Sequence, residues 1–446
     1  MRSSRGWFGC EIGKNITFDT RGLEAYCFGS WDPRVYDALL VAAAVQFCDH
    51  TRRRPAAGWG RHFEVRVPVH DVSVWRSEAV SGQLTRMLAF LTGDRWSIEF
   101  YARNIGEPAP KQTQLEMPDG ARVIVPFSDG LDSLAVAGLA EREHGYQLIR
   151  VRLGNRPITG RKPPGKLVPF VTVPYRVTYG KMRSVESSAR SRGLRFALLT
   201  GIAAYLSQTS RVIITESGQG SLGPVLVPVG QAYEDYRNHP LFTDRMSRFI
   251  AELFNHEVQY LFPRIWHTKA ETLAEFVSQC DGGRGWAETR SCWQSRWHVA
   301  VSGRRRQCGV CAACMLRRMS VHASGIEESK DAYIWESLGA ERFEDGATSE
   351  FRNAQPKGNL YEYAIAGTLH LDHLASVGRS RANRAGLERQ TAQLSEVLRT
   401  SEHDTSTGLD RLLEQHREEW SAFLHSLGPR SFVRKWTAGE AKDVAG

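Results

Sequence analysis

The sequence predicts an α/β fold in which a parallel sheet is covered by helices on both faces. Three observations carry that expectation. Between residues 118 and 325, apolar runs of strand length alternate with longer stretches of helical spacing, the pattern that builds parallel sheets. One β-branched run, residues 122–127, leads straight into a glycine-containing turn and a helix. The 446 residues exceed what one domain usually holds, and 41% hydrophobic with 24% charged residues is the balance of a globular protein with a sizeable core.

The first block, residues 1–117, reads as an α+β extension. Helical apolar spacing occurs at 35–48 and 81–91. Residues 63–72 alternate as a strand does, with Phe63, Val65, Val67 and Val69 on one face, and 97–101 reads as a second strand. Asp49, His50, Arg52, Arg53 and Arg54 stand near a helix end and are expected to be solvated. The stretch 106–119, rich in Pro, Gly and polar residues, reads as a linker. In the second block, 118–325, strands are expected at 122–127, 147–153, 166–174, 211–215 and 258–262. Helices are expected at 132–144, 186–207, 241–255 and 268–280. The prolines of 166–174 suit an edge or a strand end. Ligands of such sheets sit beyond the carboxyl ends of the strands. The third block, 326–446, reads as helical, with apolar steps of three and four at 361–374, 383–398 and 409–427. It is expected to contact the core or a partner.

A formal charge of +9 favours anionic partners, yet Asp and Glu are interspersed throughout, so nucleic acid is admitted rather than indicated. The longest apolar stretches, 38–48 and 196–206, fall far short of the ~20 residues a membrane span needs. With no apolar run behind its first arginines, the N-terminus does not read as a secretory signal. A cytoplasmic protein is the expectation.

The run Val123-Ile124-Val125-Pro126-Phe127 enters Ser128-Asp129-Gly130-Leu131-Asp132-Ser133 and then a helix. A helix start presents unbonded N–H groups and partial positive charge, which phosphate oxygens match. Gly130 lets the backbone come close to a ligand, and Ser128 and Ser133 add hydroxyls. Asp132 can cap the helix or hold a magnesium ion between phosphates. A plain N-cap made by Asp132 and Ser133, without any ligand, is the alternative. A second glycine pattern, 160–166, has the spacing G-x-x-x-x-G-K, but Leu167 replaces the required Ser or Thr, and Pro163 and Pro164 oppose a helix start. Residues 155–166 therefore read as a basic loop.

Four of the eight cysteines fall within residues 292–314, as Cys292 and the run Cys308-Gly309-Val310-Cys311-Ala312-Ala313-Cys314. Four thiolates suit tetrahedral Zn2+ in a closed structural site, and an iron–sulfur cluster is the competing occupant. His298 and His322 lie near enough in sequence to replace a cysteine. Trp286, Trp293 and Trp297 flank Cys292, either stacking on a flat base or packing around the metal loop.

An S-x-G-x-D-S turn opening an α/β domain, with C-G-x-C-x-x-C near its end, resembles the 7-cyano-7-deazaguanine synthases, the QueC family. Segments between them are similar as well: residues 190–203, Asn238-His239-Pro240-Leu241-Phe242, Thr268-Lys269-Ala270-Glu271 and Thr289-Arg290-Ser291-Cys292. The likeness spans about residues 121–322. It implies a Rossmann-like PP-loop fold of the adenine nucleotide alpha hydrolase type. It also implies ATP-dependent adenylation of a carboxylate, 7-carboxy-7-deazaguanine or a related acid, for amide, nitrile or conjugate formation. Implied as ligands of ATP are Ser128, Asp129, Gly130, Leu131, Asp132, Ser133 and Arg190. Asp132, Ser133 and Lys269 would take part in catalysis with Mg2+, and Cys292, Cys308, Cys311 and Cys314 would hold Zn2+. Asp129 stands where the family has glycine. The extra N-terminal block and helical tail look like the long QueC-like proteins of bacterial anti-phage systems, such as the QatC component of Qat, which implies protein partners from a defence operon. Two other readings stay open: a PP-loop tRNA-modifying thiolase that meets RNA through basic loops at 52–61 and 304–306, and a non-catalytic scaffold.

Overall fold

The computed structural model describes residues 7–19, 32–55, 57–104, 122–152, 174–186, 189–229, 232–294, 300–301, 304–353 and 360–443. The expected linker at 106–119, the basic loop at 155–166, residues 166–173 of the expected edge strand, His298 and Trp297 lie outside them.

In chain order the main elements begin with β1 (Ile16–Phe18), α1 (Arg34–Thr51), β2 (His62–Val69), α2 (Glu78–Thr92), β3 (Arg95–Ala102), β4 (Val123–Phe127) and α3 (Leu131–His144). There follow β5 (Leu148–Arg152), β6 (Tyr175–Val177), α4 (Ser191–Leu206), β7 (Arg211–Ile213), α5 (Pro240–Phe254), β8 (Gln259–Leu261) and α6 (Lys269–Gln279). The chain continues through β9 (Ala300–Val301), β10 (Arg304–Arg305), α7 (Ala312–Ala323), α8 (Leu360–Val377), α9 (Arg384–Leu398), α10 (Glu402–Ser426) and α11 (Phe432–Asp443). Among the described residues no helix is long and apolar enough to cross a membrane.

Contacts group the described residues into two units that cut across the three sequence blocks. Unit 1 takes Met1–Ser128, Ala140–Thr215 and Asp235–Pro263; unit 2 takes Asp129–Leu139, Glu216–Glu234 and Arg264–Gly446.

Unit 1 is mixed α/β. Its four-stranded sheet is parallel, in the order β5-β4-β7-β8. Parallel strands buried on both faces read as continuous apolar runs, and Val123, Ile124 and Val125 of β4 are fully buried. A second parallel pair, β2–β3, runs eight residues in register from His62↔Arg95 to Val69↔Ala102. Its alternation follows the sequence, with Phe63, Val67 and Val69 buried and Val65 half-buried. Both sheets share one apolar core with α1, α2, α4 and α5. Local signals set the helix ends. Ser77 caps α2, which closes on Gly93 at φ 67°, the left-handed conformation glycine supplies without strain.

Two expectations fail here. Asp49 is fully buried rather than solvated. Its carboxylate takes Arg61 at 2.5 Å and the Ser191 amide at 2.8 Å, while Asp94 takes Arg61 at 2.7 Å and Arg54 at 3.0 Å. The helix expected over 186–207 begins only at Ser191, because that distant carboxylate satisfies its first amide. Arg54 and Arg61, placed by the RNA reading in a basic loop, are thus consumed by an internal ion-pair network.

Unit 2 is mostly helical. One cluster packs Leu131, Ala135 and Leu139 of α3 against Leu273 and Phe276 of α6 and Val321 of α7. Gly138 permits this approach, since a Cβ there would stand 2.4 Å from the Phe276 ring. A second cluster joins α7, α8, α10 and α11 around Cys308, Cys311, Cys314, Met315, Met319 and Trp335.

Candidate functional site

Two constellations arise in unit 2, one at the start of α3 and α6 and one at the cysteines.

The first intrahelical bond of α3 runs from the Leu134 amide to the Gly130 carbonyl, 3.1 Å. Leu131, Asp132 and Ser133 therefore form the first turn, where amides have no partner within the helix. Leu131 and Ser133 are buried, and Asp129 is exposed with its carbonyl accepting the Arg290 amide at 2.8 Å. Helix α6 starts beside this turn. Thr268 and Glu271 form a reciprocal capping box, fixing Lys269 as the first helical residue. The buried Lys269 ammonium pairs with Asp132 Oδ2, and Asp132 Oδ1 has no hydrogen-bond partner among the described residues. Packing of α3 on α6 thus unites Asp132, Ser133 and Lys269. Arg190 belongs to unit 1, where its guanidinium meets Asp235 at 2.6 Å and lies 5.2 Å over the Trp59 ring.

Behind Lys269 stands a polar layer that the sequence did not suggest. The Lys269 amide donates to Gln219 Oε1 at 2.8 Å, and Gln219 Nε2 lies 2.8 Å from His416 Nδ1. Thr268 Oγ1 donates to Glu419 Oε1 at 2.5 Å, and Gln415 donates to the same oxygen at 3.2 Å. Gly218 lets the segment before Gln219 close on the Ile265 carbonyl, which a Cβ would meet at 2.1 Å.

Burial sets the charge states of this layer. It pushes His416, and also His370 of α8, whose Nδ1 lies 2.7 Å from the Val227 carbonyl, down to about 4 and Glu419 up to about 7. The histidines' stability is present above pH 6.5 and lost as pH falls toward 4. That of Glu419 is present below 4.5 and lost as pH rises through 7. Between pH 6.5 and 4.5 the unfolded chain binds two protons that the folded histidines refuse, and the folded Glu419 keeps one that the unfolded chain releases. Unit 2 should therefore lose roughly 1.4 kcal/mol per pH unit on acidification across that window from these three groups. In Glu419→Gln the slope should double, as urea unfolding at several pH values would read. An unchanged slope would contradict the assignment.

At the second constellation the Sγ atoms of Cys292, Cys308, Cys311 and Cys314 lie within 4.8 Å of one another, those of Cys308 and Cys314 at 3.8 Å. Metal–sulfur bonds of ~2.3 Å in a tetrahedron put sulfurs about 3.8 Å apart, so the group can hold a metal ion such as zinc. Gly309, at φ 87°, turns the chain where a Cβ would strike the Trp335 carbonyl at 3.0 Å. Cys311 then stands at the N-cap position of α7 and Cys314 falls in its first turn, where the helix dipole favours a thiolate. Amides of Cys308 and Gln294 point at Cys292 Sγ, 3.2 and 3.4 Å away, and that of Cys311 at Cys308 Sγ, 3.3 Å.

Hydrogen bonding from Cys308, and then from Cys311 and Cys314, holds the Cys292 thiol far below its ordinary range. The same bond with Cys292 raises Cys308, and burial raises Cys314. A cation among the sulfurs would favour the thiolate forms of Cys292, Cys308 and Cys314 together. Gln307 Oε1 accepts the amides of Ser291 and Cys292, at 2.8 and 3.3 Å. Arg317, fully buried, ties Thr289 Oγ1 at 2.6 Å to Glu328 at 2.6 Å. His322 is exposed beside Phe423 and stands outside the cluster. Trp286 lies under Arg317, and Trp293 is exposed.

Comparison of the chain with protein-family models, with curated proteins and with solved structures gives no match.

Proposed function

We propose that this chain is an ATP-dependent enzyme of the PP-loop type that activates a carboxylate by adenylation, its first α3 turn holding the pyrophosphate end of the nucleotide. The observation that carries the reading is the pair in that turn between the buried Lys269 ammonium and Asp132, one of whose oxygens has no hydrogen-bond partner among the described residues. A buried carboxylate oxygen without a hydrogen bond is costly, and a magnesium ion is a fitting partner for it. Mg2+, when bound, supplies charge neutralisation at the phosphates.

The residues then divide the work. Amides of Leu131, Asp132 and Ser133, with the Ser133 hydroxyl, orient the phosphate oxygens. A carboxylate oxygen of the acid attacks the α-phosphorus, the bond from that phosphorus to the bridging oxygen breaks, and pyrophosphate leaves. Lys269 offsets the charge that gathers on the leaving group. Ammonia or another nucleophile then displaces AMP from the acyl group. Asp129 is compatible with an anion nearby, because its side chain is exposed and its carbonyl is tied to Arg290.

The acid proposed is 7-carboxy-7-deazaguanine or a relative of it, and the setting a bacterial anti-phage system with partner proteins in the cytoplasm. The four cysteines would hold Zn2+ as a crosslink with no open position. Their mutual distances favour one ion over an iron–sulfur cluster, whose several irons would spread the thiolates further apart.

Pyrophosphate–ATP exchange tests the reaction. Exchange is expected only when Mg2+ and the acid are both present. Its absence with every deazaguanine acid tried would remove the adenylation reading.

A further inference from the structure

We propose that helix α10 is a working part of the site, with His416 and Glu419 as positioning residues for Lys269. This rests on the reading of Lys269 as the residue that faces the departing pyrophosphate.

The hydrogen-bond directions follow from chemistry. A backbone N–H only donates, so the Lys269 amide fixes the Gln219 oxygen toward itself and the Gln219 NH2 group toward His416. His416 Nδ1 must then accept. Its proton sits on Nε2, which donates to the Leu371 carbonyl at 2.9 Å. The ring is fully buried and burial keeps it neutral, as this tautomer requires. Three residues along the same face of α10, Glu419 takes the Thr268 hydroxyl. One helix face thus grips the cap of α6 and, through Gln219, the first helical amide. Lys269 has a long flexible side chain, so its reach to Asp132 depends on where that backbone is held. The contacts join residues 151 and 197 positions apart, which makes the C-terminal segment a support for the lysine as well as a cover for the core.

Two near-isosteric variants separate positioning from general stability. His416→Asn keeps an acceptor where Nδ1 stands and gives up the bond to Leu371. His416→Gln keeps the Leu371 bond and takes away the Nδ1 acceptor of the Gln219 NH2 group, which then keeps only its contact with Glu419. Each loses one hydrogen bond, so their melting temperatures should fall together. In acid-dependent exchange, His416→Gln is expected to lower kcat on the order of tenfold with KM for ATP nearly unchanged, while His416→Asn stays within about twofold of wild type. Hydrogen exchange at the Lys269 amide should quicken in His416→Gln alone. Equal behaviour of the two variants in kcat and in amide exchange would overturn the positioning role. A wild-type chain that exchanges no pyrophosphate would remove the reading of the site, and the amide exchange would then decide the grip of α10 by itself.

Discussion

Replacing Lys269 with methionine is expected to abolish acid-dependent pyrophosphate exchange, with a fall of at least about 10³ in kcat/KM, or ~4 kcal/mol of transition-state stabilisation. The ammonium is buried and already paired with Asp132, so its charge acts in a low-dielectric setting where charge is worth more than in water. The substitution also leaves the half-buried Asp132 carboxylate without its partner, which costs up to roughly 3 kcal/mol of stability. Loss of activity in Lys269→Met alone could therefore reflect either effect. The double variant Asp132→Asn, Lys269→Met removes both charges and should recover most of the stability while remaining inactive. A double variant that melts like wild type and still exchanges pyrophosphate would show that neither side chain serves the reaction.

Removal of the metal should have the largest structural effect. Structural zinc is worth an apparent ~10–16 kcal/mol in small peptides. A third of the lower figure, about 3–4 kcal/mol, would lower the melting midpoint of unit 2 by roughly 10 °C. The loss should centre on the cluster that packs Cys308, Cys311 and Cys314 against Met315, Met319 and Trp335. The Asp129 turn should loosen as well, because its carbonyl is held by Arg290, two residues before Cys292. Chelation at neutral pH, followed by calorimetry and by metal analysis of the untreated protein, reads both effects. One zinc per chain and a large drop on chelation are expected. An unchanged midpoint, or a protein containing no metal, would contradict the assignment.

What the sequence disclosed was what is local in the chain. The turn at 128–133 was legible because strand, glycine and helix start are contiguous. The cysteines were legible because three of the four ligands fall within one short run. Helices α5, α6 and α8 matched their apolar spacing to within a few residues, since periodicity and caps are local signals. Contacts across long separations were not legible. The β1–β6 pair joins three-residue strands, too short to stand out. Asp49 looked like a frayed helix end, yet Arg61 and the Ser191 amide draw it inside. Gln219, Gln307, Arg317, His416 and Glu419 are ordinary polar residues in sequence, and only tertiary packing gives them work. Thr268 and Glu271 carried a local signal that went unread, since threonine followed three residues later by glutamate marks a capping box.

Titration calorimetry of magnesium ATP into the 446-residue chain tests whether the first turn of α3, with Lys269 and Asp132, holds the triphosphate. Expected are a saturable isotherm with one nucleotide bound per chain and its loss in the Asp132→Asn, Lys269→Met double variant. A featureless titration of the folded, metal-loaded wild-type protein, or unchanged binding by the double variant, would contradict that role for the turn.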